Sequence, residues 1–354
     1  MDSTTHETAD EIVARLIAVI EAVGLGVRRD GITTDALRTL AGEACDALGT
    51  IARPPAAAPL VVQADSLMPD LLTDFDQRAA AAAVNGGIVG ARTGLDHLDE
   101  TLNGLQAGQL YVLAAMPGLG KTTLALQMAA TVAQSGRSAL YLSLENDAVD
   151  LARKTVCRLG DVSYRDSLKG KVDRQEWMAA VSRLQRLHGL LYFATPRAAM
   201  PTLTSLVEGV MTRTGSAPQL LVVDYLQALV KRGATGGETS DLRERIDRFT
   251  PELRALGAQY GCAVLAISSQ NRAGYEKGGM SAMKESGDVE YGADVIMTLA
   301  QLTPDELKAR NYDITHDTRN TPLKLTVDKN RSGLTGRPIP LLLYGDTCKI
   351  EEDR

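Results

Sequence analysis

The sequence predicts an α/β fold with a central, mostly parallel sheet, preceded by a small α-helical N-terminal region. The first observation is an apolar run, a glycine-bearing loop and a helix-forming stretch that follow one another across residues 110–130. The second is a series of later apolar runs that end in polar or acidic residues, as parallel strands buried on both faces do. The third is the helical spacing of apolar residues within residues 1–52.

The loop at residues 115–122 reads Ala-Met-Pro-Gly-Leu-Gly-Lys-Thr, between a predicted strand and a predicted helix. Glycine at 118 and 120 allows backbone N–H groups to wrap around phosphates, Lys121 supplies a positive charge, and Thr122 offers its hydroxyl to Mg²⁺. An ordinary turn between strand and helix is the structural alternative. The candidate nucleotide-binding residues in this segment are Ala115, Pro117, Gly118, Gly120, Lys121, Thr122 and Thr123.

Two acidic residues stand at the ends of the next apolar runs. The strand predicted over residues 138–144 delivers Glu145, and the strand predicted over residues 219–224 ends in Asp224. Ligands of open parallel sheets bind outside the carboxyl ends of the strands, so both carboxylates are expected to face the loop. Glu145 can orient and deprotonate an attacking water, and Asp224 can serve Mg²⁺ directly or through water. The alternatives are a solvated strand end for Glu145 and a helix cap or turn residue for Asp224.

Polar residues also follow the fourth predicted strand, residues 262–267, where Ser269 and Gln270 are placed to sense a γ-phosphate. A fifth strand begins at Asp294, and a pair of strands at residues 323–328 and 339–344 follows it. The basic hairpin between that pair carries Lys329 and Arg331. Basic hairpin residues are commonly just solvated, yet an ATPase that lacks an arginine near its phosphates often takes one from a neighbouring subunit.

The ordered motifs resemble the C-terminal RecA-type ATPase domain of DnaB-type replicative helicases. The resemblance covers about residues 88–352, and alanine at position 115 is usual in that family. It implies a RecA-type P-loop NTPase fold and an ATP-hydrolysing helicase or translocase that acts on single-stranded DNA. It also implies a homo-oligomeric ring, a hexamer, with ATP between subunits. The motifs that carry the resemblance begin at Thr93, Asn103, Ala115, Ser143, Asp224, Lys284 and Lys329.

The resemblance implies a role for each matching residue. Lys121 and Thr122 bind phosphates and Mg²⁺, Glu145 is the catalytic base, and Asp224 is the Walker B acid. Lys329 and Arg331 form a finger donated in trans. The family usually has Ser-Gln after the fourth strand, whereas the glutamine here is shifted by one, so either Ser269 or Gln270 contacts the γ-phosphate, and the reach of Gln270 favours it. The candidate DNA-binding residues are Arg272, Lys284, Glu285 and Gly287.

Three regions are predicted along the chain. Residues 1–52 form a helical hairpin for oligomerisation or partner binding, residues 53–87 a proline-rich linker with a linker helix, and residues 88–354 the ATPase domain. The linker helix carries Leu67, Leu71, Leu72 and Phe75 on one face. In the family such a helix docks onto the neighbouring ATPase domain; a helix internal to the core is the alternative. The short N-terminal part suggests a mobile-element or phage-like variant and leaves a primase or a loader as an open partner.

Composition bounds the function without deciding it. The chain has no apolar run near membrane-spanning length, a polar and acidic start, and four cysteines without a C-x-x-C pair, so we expect a reduced, cytoplasmic protein without a membrane partner. The net charge of −6 is unlike that of an indiscriminate DNA binder. It favours a second hypothesis, a RecA-fold ATPase of recombination, defence or loader type that assembles and switches partners without unwinding. The segment beginning at Lys284 favours the helicase.

Overall fold

The computed structural model describes residues 64–196, 201–228, 242–269, 292–310 and 320–353, together with residues 33 and 312. For residues 66 and 242–248 it describes the backbone alone. The chain divides after Asp74, and every site residue discussed below lies within residues 75–354. Apart from residue 33, the predicted hairpin at residues 1–52 falls outside the described residues and stays a prediction.

A mixed sheet forms the centre of the fold, as predicted. Its order is β3-β2-β4-β5-β1-β6-β7-β8-β9. The pairs from β3 to β6 are parallel and the pairs from β6 to β9 are antiparallel. The strands are β1 Leu110–Ala115, β2 Ala139–Ser143, β3 Leu191–Ala194, β4 Leu220–Asp224, β5 Ala263–Ser269, β6 Val295–Gln301, β7 Asn320–Asn330, β8 Ile339–Tyr344 and β9 Lys349–Glu352.

Helices connect the strands, and several begin at side-chain caps. Asp147, Asp173 and Thr202 each accept a hydrogen bond from a backbone N–H of the turn that follows, which satisfies donors that a helix start leaves open. Pro251 lies inside one continuous helix rather than starting a new one. The helices are α1 Met68–Val84, α2 Asp96–Leu102, α3 Lys121–Gln134, α4 Ala148–Gly160, α5 Tyr164–Leu168, α6 Arg174–Gln185, α7 Leu203–Thr214, α8 Leu242–Tyr260 and α9 Pro304–Ala309.

The central strands of the sheet are buried on both faces by these helices. On one face Leu113 of β1 shares a buried cluster with Met128 of α3, and on the other Val112 shares a cluster with Leu253 of α8. Each fully buried side chain of this size stabilises the fold by about 1.5–3 kcal/mol relative to an exposed one. Burial of both faces explains why the central strands read as unbroken apolar runs.

The structure differs from the prediction at the margins of the sheet. Two edge strands, β3 and β9, were not predicted; β3 is only half-buried, and β9 is short and charged. Strand β7 is also longer than expected. It includes Lys329, which pairs with Ile296 of β6 and therefore lies in the strand rather than in the hairpin loop.

Helix α1 presents its apolar side chains to solvent. Leu71, Leu72 and Phe75 are 59%, 62% and 68% exposed.

Among the described helices, none combines the length and the apolar character that a membrane crossing requires.

Candidate nucleotide site

The loop between β1 and α3 has the backbone shape of a phosphate cradle. Gly118 and Gly120 have φ of 83° and 87°, a region in which other residues are strained. A Cβ on Gly118 would meet nothing within 4 Å, so this turn of the loop is open to a ligand. The loop leads directly into the N-terminus of α3, whose free N–H groups and dipole favour an anion. The residues present therefore fit a bound phosphate chain.

Lys121 folds back onto the loop. Its Nζ donates hydrogen bonds of 2.8 Å to the backbone oxygens of Ala115 and Met116. Burial lowers the pKa of Lys121, while the carboxylates of Asp224 and Glu145 act in the opposite direction. A phosphate in the loop would offer this ammonium charged acceptors, which form stronger hydrogen bonds than backbone carbonyls.

Asp224 is held by two hydroxyl groups. Its Oδ2 accepts hydrogen bonds from Thr122 Oγ1 at 2.9 Å and from the Tyr141 hydroxyl at 2.7 Å. Burial raises the pKa of Asp224, and the two hydrogen bonds partly reverse that rise. No described residue donates a hydrogen bond to Oδ1. Because Mg²⁺ in nucleotide sites is held by one or two carboxylates, phosphates and water, Thr122 and Asp224 fit this ion.

Glu145 joins this group from the neighbouring strand. Ser143 of β2 pairs with Asp224 of β4, and the next residue donates its N–H to the Asp224 carbonyl at 2.8 Å, so Glu145 follows at the same edge of the sheet. Its carboxylate is exposed to solvent. Burial lowers the pKa of Lys121 and raises that of Asp224, and the negative charge of Glu145 opposes the first shift and adds to the second. The structure thus brings Lys121, Asp224 and Glu145 together, and the exposed carboxylate of Glu145 is accessible to a water molecule.

The end of β5 lies beside the phosphate loop. Ser269 pairs with Ala115, the residue from which the loop starts. Gln227, three residues after Asp224, donates to Ser268 Oγ at 3.0 Å and to the Ser269 carbonyl at 3.2 Å, and accepts from the Ser269 N–H at 3.3 Å. Gln227 therefore ties the segment after β4 to the predicted γ-phosphate sensor. Gln270 lies outside the described residues.

Arg331 lies near the start of β1, at the opposite end of the parallel strands from the glycine loop. Its backbone N–H donates to the Asp294 carbonyl at 3.0 Å, and its Nη1 lies 3.4 Å from Asp294 Oδ1. Asp294 also pairs with Arg254 at 3.0 Å and accepts the N–H of Leu110, the first residue of β1. The loop follows the other end of β1, and a strand of this length spans roughly 17 Å at about 3.3 Å per residue. Arg331 is therefore not part of its own loop's surroundings.

Sequence reasoning missed Tyr141 and did not give Gln227 a role of its own. Tyr141 stands in an otherwise apolar run. Its hydroxyl was the one available signal, because β2 pairs with β4, the strand that ends in Asp224. Gln227 belongs to the motif that begins at Asp224. The candidate DNA-binding residues, Arg272, Lys284, Glu285 and Gly287, all lie outside the described part of the chain, so their role stays a prediction.

The chain is similar in sequence to helicases of the DnaB type. A family model described as "DnaB-like helicase C terminal domain" matches residues 90–351. The replicative DNA helicase DnaB of Leifsonia xyli subsp. xyli (strain CTCB07) is 28% identical over 232 residues, covering 64% of this chain and 50% of the relative. That of Geobacillus stearothermophilus is 26% identical over 259 residues, covering 71% and 54%. The chain thus spans about half the length of these relatives.

Two solved structures share the fold. One is an ATPase domain that superposes with a TM-score of 0.66 at 17% identity, covering 81% of this chain and 99% of that one. The other is a DnaB-like replicative helicase, whose structure was described together with its interactions with primase. It superposes with a TM-score of 0.70 at 17% identity, covering 97% and 75%. At this identity the likeness concerns the fold alone.

Proposed function

The chain belongs to the family of DnaB-like helicase C-terminal domains, and from that premise we propose that it is an ATP-hydrolysing DNA helicase or translocase. The observation that carries the proposal is the meeting of Lys121, Thr122 and Asp224 beside the glycine loop, with Glu145 next to them. That arrangement supplies a phosphate cradle, a metal carboxylate and a candidate base at a single edge of the sheet.

Each residue then has one task in hydrolysis. The loop N–H groups and Lys121 bind the phosphates of ATP, and Thr122 and Asp224 would hold Mg²⁺. An ion held there would neutralise part of the phosphate charge. Glu145 orients the attacking water and accepts its proton. The end of β5, fixed by Gln227, carries the residue that contacts the γ-phosphate.

The proposal extends to a ring in which subunits share ATP sites. Arg331 is tethered at the edge of the sheet away from its own loop, which supports a role at a neighbour's nucleotide. The exposed apolar face of α1 supports assembly as well, since docking on a neighbour would bury Leu71, Leu72 and Phe75. We propose a homo-hexamer that moves on single-stranded DNA, with the predicted loop around Lys284 facing the strand and a primase or loader as a further partner.

A partner-switching ATPase is the second candidate, and the net charge of −6 favours it. The measurement that separates the two is ATP hydrolysis with and without single-stranded DNA, together with strand separation on a forked duplex. A helicase requires stimulation by DNA and ATP-dependent unwinding. Hydrolysis that DNA leaves unchanged, without unwinding, would move the assignment to the partner-switching class, and absence of Mg²⁺-dependent ATP binding would refute both.

A further inference from the structure

We infer that Tyr141 is a positioning residue that aims the Asp224 carboxylate at the Mg²⁺ of a bound nucleotide. The inference rests on the proposed ATP site. It assigns a task to a side chain that the motifs of the site do not include, because Tyr141 lies within the apolar part of β2 rather than at its end.

The surroundings of Tyr141 fix its hydroxyl. The side chain is fully buried, and its ring packs edge-on against Phe193 of β3, with centroids 6.4 Å apart and an interplanar angle of 73°. The hydroxyl donates to Asp224 Oδ2 at 2.7 Å. A strand buried on both faces needs only apolar side chains for packing. A phenol here adds one polar contact, and that contact reaches the metal carboxylate.

The geometry gives this contact a consequence for the metal. Tyr141 and Thr122 donate to the same oxygen of Asp224. Thr122 is also the residue whose oxygen would coordinate Mg²⁺, so its hydroxyl would serve the ion as well as the carboxylate. Tyr141, by contrast, belongs to the buried strand β2, and its hydroxyl donates to the carboxylate. By fixing Oδ2 it limits rotation of the carboxylate and leaves Oδ1 for the ion, as hydrogen-bond partners of metal ligands commonly do.

The test compares Tyr141→Phe with the parent chain, using a fluorescent ATP analogue titrated with and without Mg²⁺. Removing such a partner typically weakens metal affinity by about 10–100-fold, so the Mg²⁺ concentration that half-saturates the enhancement of binding should rise by about that factor. Affinity without divalent ions should stay at the parent value. Tyr111→Phe is the matched control, because Tyr111 is equally buried but hydrogen-bonds Gln106 and Gln109 instead.

An unchanged Mg²⁺ requirement in Tyr141→Phe would overturn the inference, and so would an equal change in Tyr111→Phe. A parent that binds the analogue without any effect of Mg²⁺ would overturn the proposed function itself, which keeps the two failures distinct. If Tyr141→Phe does not fold, a crystal structure of the parent with Mg²⁺ and a non-hydrolysable ATP analogue decides. A separation above about 3.5 Å between the Tyr141 hydroxyl and Asp224 would then contradict the inference.

Discussion

The guanidinium of Arg331 lies 3.4 Å from the carboxylate of Asp294, at the edge of the sheet where β1 begins. The phosphate loop follows the other end of the same strand. The chain therefore carries a glycine loop, a candidate metal carboxylate and a candidate base at one end of the parallel strands, and a candidate arginine finger at the other end. This separation favours ATP sites that are completed between subunits.

Lys121→Ala should abolish hydrolysis of Mg²⁺-ATP, because Lys121 is the one charged side chain within residues 115–122. Phosphate release is the measurement, with thermal unfolding as a check on the fold. Lys308→Ala, on the exposed surface of α9, is the matched control and should hydrolyse ATP at the parent rate. Hydrolysis by Lys121→Ala at the rate of that control would show that the loop is not the nucleotide site.

Glu145→Gln should bind nucleotide normally but turn it over more slowly by a factor of about 10² to 10⁴, the usual loss when a general base is removed. Binding and single-turnover hydrolysis should be measured separately. Glu176→Gln, an exposed residue of α6, serves as the control. A normal rate in Glu145→Gln would mean that another group activates the water.

The γ-phosphate sensor should be Ser269 or Gln270, with the longer Gln270 favoured. Gln227 fixes this segment through hydrogen bonds to Ser268 and Ser269, beside the start of the loop at Ala115. A structure with a non-hydrolysable ATP analogue is the measurement. The assignment is wrong if neither side chain lies within hydrogen-bond distance of the γ-phosphate or its water.

Lys284→Ala should weaken binding to single-stranded DNA and reduce the salt dependence of the binding constant by about 0.7 to 1 unit, since one phosphate contact fewer releases fewer counterions. Basal hydrolysis should stay near the parent value. Fluorescence anisotropy over a series of salt concentrations measures the affinity and its salt slope, with Lys171→Ala as the exposed control. An unchanged salt slope would remove Lys284 from the DNA interface.

Much of the fold and of the site was predictable because burial leaves a local pattern. The runs that end at Glu145 and Asp224 are apolar since both faces of their strands are covered, and parallel pairing places their ends at one edge. Strand β9 left no such pattern, because a half-buried edge strand can be short and charged. Tyr141 was not predictable either. Its partner Asp224 is 83 residues away, and only the pairing of β2 with β4 brings their side chains together.

The most direct test of the shared site is a mixing experiment. An arginine supplied in trans is worth a factor of about 10³ to 10⁵ in rate, so Arg331→Ala alone should be nearly inactive although its own loop is intact. Glu145→Gln alone should be slow as well. Mixed subunits should regain hydrolysis, because some interfaces then pair an intact Glu145 with an intact Arg331. Arg254→Ala is the control, because Arg254 also pairs with Asp294 but is not the proposed finger. Mixing Arg254→Ala with Glu145→Gln should give no more hydrolysis than the sum of the two separate variants.

Hydrolysis in the mixture, measured by phosphate release over a series of protein concentrations, should exceed the sum of the two separate variants and should rise per subunit as assembly proceeds. Arg331→Ala that is as active as the parent, or a parent that remains monomeric with full activity at every concentration, would contradict both the finger in trans and the ring.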